Sequence, residues 1–595
     1  MKAQAAGRDG PPAANSASGR AIRSLRALFR SNELALVAIA ALVGFVAALC
    51  VTAITQGANA MHMLIYRLPF DVRLSASDRV SPWVALAALS LGGLGLGLME
   101  NWRLKRKLPA PVDPIEANAL RGGRMSLRDS FIVGLQTTVS NGCGASVGLE
   151  AGYAQVGASL GSFLGQQLRL RRSDLRLLVG AGAAAAIGGS FGAPLTGAFY
   201  AFEIILGAYT IAGAGPIFTA SIVGVLTTHV LNGAPYQITT PPVALLVPAF
   251  YPVLFGLAAL STAFGVAAMR AAGLSERALR ATKIPVWAQP VIGGVFVAAL
   301  ASITPQVMGA GHGALALDIA TAFPLSALIA FLALKVTACM VSLATGFRGG
   351  LFFGSLMMGA LLGKIYAIAL GAFAPALVPD PTILILAGMA TLGVVIVGGP
   401  LTMSFLVLEN TSDFSVAAGV LAASIASSLM ARASFGYSFS TWRLHLRGEN
   451  IRSANDISWI ADLTVGRLMR TNPPRASADV SLIELCAQYP IGATKFVVLT
   501  DEKGRYAGLI NLAEAYIHAQ SGDGKAAEVA RFSDVALTAE MNAKTAMAIF
   551  DKSQSDHLAV IDSASTFPIG LLSEPYLARR YAEKADAAAR NALGM

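Results

Sequence analysis

Hydrophobic residues fill the first 455 positions in long runs that charged residues seldom break. The first run, residues 34–55, has about the 20 residues that a helix needs to cross a bilayer. Between residues 130 and 432 the runs vary from too short to overlong, and glycine and proline interrupt them. Irregular backbone at membrane depth survives only where protein or a watery cavity supplies hydrogen-bond partners. The pattern predicts a polytopic helical membrane domain with broken helices, which is typical of a transporter or channel.

The pattern changes after Arg447, where short β-rich runs alternate with helical stretches in two successive segments. This alternation predicts a tandem α/β module at the end of the chain. The predicted divisions are a cytoplasmic segment 1–32, a membrane domain 33–447, a linker 448–461, α/β repeats 462–519 and 531–582, and a tail 583–595.

Composition and charge indicate that one part of the chain lies in a membrane and the other in the cytosol. Charged residues make up 13% of the chain and hydrophobic residues 55%, against about one quarter charged in soluble domains. The net charge of +11 is concentrated in the first 455 residues, which carry 31 basic and 17 acidic side chains; the remainder carries 14 and 17. The basic cluster at 20–30 predicts a cytoplasmic N-terminus, and the cluster at 103–107 is also expected on the cytoplasmic side. The mildly acidic C-terminal part is typical of a cytosolic domain, so both termini are expected in the cytoplasm. In a bacterium this predicts the inner membrane.

Other partners and chemistries find little support in the sequence. The membrane body offers nucleic acid no surface of interleaved basic and aromatic residues. The four cysteines and six histidines are scattered, so they predict neither a metal site nor an enzyme.

Two sequence blocks recur in the same order, which indicates an internal repeat. Residues 191–203 (FGAPLTGAFYAFE) and 397–409 (VGGPLTMSFLVLE) share Pro-Leu-Thr and a glutamate nine positions after the proline, 206 positions apart. Residues 157–161 and 359–363 match at an offset of 202. The alternative is chance similarity between alanine- and glycine-rich helices. A duplicated membrane body places its substrate site at the interface between repeats, where half-helix ends meet.

The sequence at these positions resembles the CLC family of chloride channels and chloride/proton exchangers. Residues 146–152 (SVGLEAG) resemble the family segment in which a glutamate follows Gly-Lys/Arg and precedes Gly-Pro, and 349–352 (GGLF) resemble Gly-Gly-Ile-Phe-Ala-Pro. The C-terminal module is similar to the tandem CBS domains of many members. The resemblance implies an inverted-topology repeat of broken helices with a CBS pair, and a homodimer with one pore in each subunit.

Backbone amides at glycine-bounded helix starts are a favourable replacement for the water around a desolvated anion. On the resemblance, the amides that bind the anion belong to Gly148, Leu149, Ala151, Leu351 and Phe352. The alternative is that these glycines serve helix packing alone.

Glu150 is a lone carboxylate between glycines in an apolar region, and intramembrane carboxylates mark pathways or proton relays. The resemblance assigns it the role of gate and proton carrier; the alternative is a loop glutamate at the membrane surface. Leu149 replaces the family's Lys/Arg, and Ala151-Gly152 replaces Gly-Pro, so we expect a looser and less positive gate.

Further departures from the family pattern concern selectivity and coupling. Pro111 stands where the family's pore serine bonds the anion, as in nitrate-preferring plant members, which makes nitrate a candidate substrate. Ser440 takes the place of the pore tyrosine, with Tyr437 as a displaced substitute. Ile204 replaces the second proton glutamate of coupled exchangers. For Glu203 and Glu409 we expect a structural role, bonding backbone at helix ends.

The sequence therefore predicts transport of chloride, with nitrate as a candidate, by weakly proton-coupled exchange gated by Glu150. The alternative is a voltage- or pH-gated chloride channel without coupling. A cation-coupled transporter of organic acids is disfavoured because extra intramembrane carboxylates are lacking. The family's CBS pairs can bind adenine nucleotides, but residues 570–575 (GLLSEP) and Glu514 match that motif imperfectly. We therefore expect a structural dimerisation module there, without a cofactor.

Overall fold

The computed structural model of the protein describes residues 33–69, 72–78, 80–233, 246–436, 438, 441–442, 463–522 and 524–593. The chain divides into two compact units, Met1–Asn455 and Asp456–Met595. This division falls within the stretch 448–461 that the sequence predicts as a linker.

The described part of the first unit is helical, with 3₁₀ turns at Leu74–Ala76, Pro248–Phe250, Pro305–Val307 and Pro375–Leu377. Its helices are α1 Glu33–Tyr66, α2 Pro82–Lys105, α3 Pro114–Leu120, α4 Leu127–Gly142, α5 Glu150–Gln167, α6 Arg172–Phe191, α7 Pro194–Tyr200, α8 Ile211–Asn232, α9 Tyr251–Ala281, α10 Gln289–Ala301, α11 His312–Ala320, α12 Leu325–Thr345, α13 Phe352–Phe373, α14 Pro381–Val397, α15 Pro400–Thr411 and α16 Phe414–Ser434. Seven of the described helices, α1, α2, α8, α9, α12, α13 and α16, are long and apolar enough to cross a membrane.

Helix breaks shape this unit more than the hydropathy pattern alone predicts. The apolar run 193–213 is interrupted: α7 begins at Pro194, a π-helical segment Ala201–Leu206 follows, and α8 begins at Ile211. Proline suits the first helical turn because its missing N–H has no acceptor there. Gly207 ends the segment with φ 69°, a conformation that glycine adopts without strain. Conversely, α1 continues past the predicted end of its run at residue 55 to Tyr66.

The internal repeat is visible in how two helix pairs pack. A Cβ atom at Gly157 or Gly161 of α5 would overlap carbonyl oxygens of α6, at Gly182 and Leu178. A Cβ at the repeat-related Gly359 or Gly363 of α13 would overlap carbonyls of α14, at Gly388 and Leu384. Small residues let helix backbones approach closely. The same backbone-to-backbone contact therefore occurs once in each repeat.

The described part of the second unit contains two small sheets of similar construction. Its elements are α17 Val465–Leu468, β1 Arg470–Thr471, β2 Arg475–Ser477, α18 Leu482–Gln488, β3 Phe496–Thr500, β4 Tyr506–Asn511, α19 Leu512–Ser521, α20 Ala526–Val529, β5 Leu537–Thr538, α21 Ala543–Ser553, β6 His557–Ile561, β7 Pro568–Ser573 and α22 Glu574–Leu593. The sheet orders are β2-β3-β4 and β1-β7-β6-β5. In each sheet a short strand pairs in parallel with a five-residue strand, which pairs antiparallel with the next strand. The α22 helix runs on through the predicted boundary at residue 582.

Candidate functional site

The starts of α5 and α13 are joined by their backbones. The Gly148 N–H donates to the Gly350 carbonyl at 2.9 Å, and the Gly350 N–H donates to the Gly148 carbonyl at 3.0 Å. Just beyond this bridge, α5 begins at Glu150 and α13 at Phe352. First-turn N–H groups have no acceptor within their own helix. The bridge therefore brings two sets of donors, one from each repeat, to the same place.

This arrangement corrects one of the expected anion ligands. Because the Gly148 amide is used in the bridge, it does not face an anion. The other expected amides belong to Leu149, Ala151, Leu351 and Phe352, which cap or begin the two helices. A Cβ at Gly350 would contact Ala151 at 3.2 Å, so the two helix starts are in van der Waals contact.

The Glu150 side chain is 3% exposed and folds back over the bridge. A Cβ atom on Gly148 would overlap its Oε2, so glycine is required for this placement. Oε2 is buried and has no hydrogen-bond partner among the described residues. The backbone N–H groups of Glu150 and Phe353 hydrogen-bond to the carboxylate. The carboxylate thus occupies the space between the two helix starts.

A cavity opens onto Glu150 from the end of α1. Polar and basic side chains supply much of its wall. Asn59 and His62 come from the part of α1 that extends beyond the predicted run, and Thr55 is the last residue of that run. The residues lining it are Thr55, Asn59, His62, Arg73, Leu74, Ser75, Asn141, Leu149, Glu150, Tyr153, Ser190, Phe191, Met308, Gly309, Ala310, Gly311 and His312. Leu149 is 7% exposed and packs among apolar residues, so it contributes no charge here.

The sequence did not predict the basic side chains that the fold brings to this cavity or close to His312. His312 lies with Nε2 3.9 Å from Oε1 of Glu150, and its ring stacks on Phe353 with centroids 3.6 Å apart. Arg73 donates to Asn59 at 3.0 Å in the same cavity. Lys335 is fully buried in α12 and donates to the carbonyls of Val307 and Gly309. A single lysine in the apolar run 323–346 was a signal available in the sequence; the other two carried none.

The segment with Pro111 lies beside α5, beyond Glu150. The Val112 carbonyl accepts from Nε2 of Gln155, which follows Glu150 by five residues, at 2.8 Å. Asp113 caps α3 by accepting from the Ile115 N–H. The pore-tyrosine candidates, Tyr437 and Ser440, lie outside the described residues. Tyr200, which the sequence analysis did not single out, packs edge-on against Phe352 with ring centroids 6.0 Å apart.

Glu203 and Glu409 lie at helix ends and bond backbone, each across the repeat. Glu409 accepts from the Leu195 N–H at 2.7 Å and from the N–H and hydroxyl of Thr196 at 2.9 and 2.6 Å. Glu203 accepts from the first turn of α15 in the same way, with distances of 3.0, 2.8 and 2.6 Å. Ile204 lies in the π-helical segment and is half-buried.

Among the described residues, no group of three or more histidine, cysteine, aspartate or glutamate side chains is arranged to hold a metal ion.

Comparison with known proteins places this geometry in context. The sequence model of the voltage gated chloride channel family matches residues 108–432. The chain is 28% identical over 400 residues to the voltage-gated ClC-type chloride channel ClcB of Salmonella typhi, covering 66% of this chain and 95% of that protein. It is 27% identical over the same length to ClcB of Escherichia coli O81, with the same coverage.

Solved structures share the fold at lower sequence identity. A slow cyanobacterial Cl⁻/H⁺ antiporter superposes with a TM-score of 0.60 at 19% identity, covering 69% of this chain and 97% of its own. A eukaryotic CLC transporter gives 0.57 at 16% identity and covers 93% of this chain and 98% of its own.

Proposed function

The chain belongs to the voltage gated chloride channel family, and we propose that it moves chloride across the membrane by weakly proton-coupled exchange gated by Glu150. The observation that carries the proposal is the Glu150 carboxylate, buried over Gly148 between two helix starts. Helix N-termini attract negative charge. An ionised carboxylate at this position competes with an anion for the space between the same two helix starts. Protonation removes that attraction and frees the site.

The anion ligands in this proposal are the remaining backbone amides of Leu149, Ala151, Leu351 and Phe352. Donors held by helices from both repeats replace water around the anion without a fixed positive charge. Pro111 offers no hydroxyl, which supports weak discrimination between chloride and nitrate. Weak coupling follows from Ile204, which cannot carry a proton between Glu150 and the cytoplasm.

The proposal also covers the membrane topology, the oligomeric state and the C-terminal module. Both termini face the cytoplasm of a bacterial inner membrane, and two copies form a homodimer with one pore each. The repeated sheets β2-β3-β4 and β5-β6-β7 support a CBS pair. Its role is structural: Glu514, a candidate for the nucleotide-binding acidic residue, pairs with Arg531 at 3.1 Å.

Purified protein in chloride-loaded liposomes tests the proposal. With valinomycin and potassium clamping the voltage, a chloride electrode should record release that empty liposomes do not show, and nitrate should be released in its place when loaded. Absence of anion release would contradict the proposal. Chloride release without any chloride-driven proton movement would favour the second candidate, a chloride channel, which the apolar Ile204 side chain supports.

A further inference from the structure

The cavity beside the gate carboxylate is lined by basic side chains even though Leu149 carries no charge. His312 of α11 approaches Glu150, and Arg73, just before Leu74, lines the same cavity. Lys335 of α12 lies close to His312 and bonds the carbonyls of Val307 and Gly309. These residues come from three separate elements. With Leu149 in place of the family's Lys/Arg, the sequence alone predicts a less positive gate. In the fold, basic side chains from other elements lie beside it.

His312 is held in place independently of Glu150. Its ring stacks on Phe353, the second residue of α13, at an interplanar angle of 20°. It is the first residue of α11 and follows Gly311, which adopts a φ of 100°. Lys335 fixes the preceding segment through the carbonyls of Val307 and Gly309. The imidazole is therefore positioned before any contact with the carboxylate forms.

The 3.9 Å between Nε2 of His312 and Oε1 of Glu150 exceeds a direct hydrogen bond. One bridging water or a small side-chain rotation closes this gap. Both residues line the same cavity, so water reaches them together. We propose that His312 is a positioning residue for the gate: its imidazole donates to the ionised Glu150 carboxylate, holds it in the pore and sets the cavity-side pH at which the gate opens. This inference rests on the proposed gating role of Glu150.

The charge of His312 follows from its neighbours. The titratable and charged groups around it are Glu150 and Tyr153 on α5, His62 on α1, Arg73, and Lys335 on α12. Farther along α11 lies Asp318, whose carbonyl accepts from Lys364 of α13. Burial lowers the pKa of the His312 imidazole, and the like charges of Arg73 and Lys335 lower it further, so a proton on it is disfavoured. His312 is accordingly a neutral donor, and its hydrogen bond favours the ionised form of Glu150 over the protonated form.

The test is a pH profile of anion current across a planar bilayer, with pH varied on one side at a time. His312→Phe keeps the ring stack and removes the donor, so the midpoint on the cavity side should move by about one unit to higher pH. His312→Gln retains a donor and should move it less. His229→Gln is the matched control, because His229 is exposed near the same end of the membrane unit and should leave the midpoint unchanged.

Repeating the His312 substitution in the Glu150→Gln variant separates gating effects from structural effects. In Glu150→Gln the His312→Phe substitution should have no effect on the pH profile. A shift that persists in that background, or a His312→Phe profile equal to the wild type, would overturn the inference. If His312→Phe does not fold, the smaller shift of His312→Gln decides in the same way. A wild-type protein without anion current would refute the proposed function itself.

Discussion

Gly148 and Gly350 exchange two backbone hydrogen bonds although they lie 202 positions apart in the chain. That separation equals the offset between the repeated blocks at 157–161 and 359–363. Reciprocal bonding between repeat-related residues is expected when a two-fold relation connects two halves. Glu203 and Glu409 repeat the relation, since each caps a helix of the other half. The two halves are therefore joined at the site and at the helix caps by the same symmetry.

The first prediction concerns the gate. Glu150→Gln keeps the shape of the protonated carboxyl group, so anion flux should stay intact or rise while its pH dependence disappears. Flux from liposomes at several pH values measures this. The control is Glu276→Gln, because Glu276 pairs with Arg280 one turn along α9 and should leave the profile unchanged. A pH dependence that survives in Glu150→Gln would remove Glu150 from the gating role.

The second prediction concerns selectivity. Pro111→Ser adds a hydroxyl donor, and a hydrogen bond to a charged group contributes roughly 1.5 kcal/mol, about tenfold in an equilibrium constant. The chloride-to-nitrate permeability ratio should therefore rise by up to that factor, as measured by reversal potentials in mixed anions. Pro109→Ser changes an exposed proline of the same segment and serves as the control. Equal ratios in the wild type and Pro111→Ser would show that position 111 does not contact the anion.

The third prediction concerns proton coupling. Without a titratable group at position 204, chloride-driven proton uptake should be detectable but fall short of a fixed stoichiometry. Ile204→Glu should raise the ratio of protons to chloride. Position 204 is half-buried beside Glu203, and a carboxylate there can take up and release protons. Ile204→Gln adds polarity without titration and should not. Liposomes with a pH electrode and clamped voltage give the ratio. Tight coupling in the wild type would mean that protons follow a path without position 204.

The fourth prediction concerns the reciprocal caps. The Glu409 carboxylate accepts three hydrogen bonds with its two oxygens, whereas the amide in Glu409→Gln has one acceptor oxygen. The free energy of unfolding of the membrane unit should therefore fall by about 1–3 kcal/mol. Glu203→Gln should cost a similar amount, because it makes the equivalent three bonds. Loss of monodisperse protein on heating reports the effect, with Glu276→Gln as a surface control expected within about 1 kcal/mol of the wild type. If either variant melts like this control, that carboxylate is not a structural cap.

The sequence by itself determined the membrane character of the first unit, the repeat and the place of Glu150 between glycines, because these depend on local composition and spacing. It also indicated the Pro-Leu-Thr helix starts, since proline at a first helical turn is a local signal.

Only the tertiary structure decided which groups face Glu150. The Gly148 amide is taken by Gly350, a partner 202 residues away, so spacing could not exclude it as an anion ligand. His312 and Arg73 reach the cavity beside Glu150 from elements distant in the chain, and no local pattern connects them to it. Packing likewise decides that Glu203 and Glu409 each cap a helix of the other repeat. Contacts between remote segments depend on how helices meet in space, and hydropathy and spacing carry no record of that.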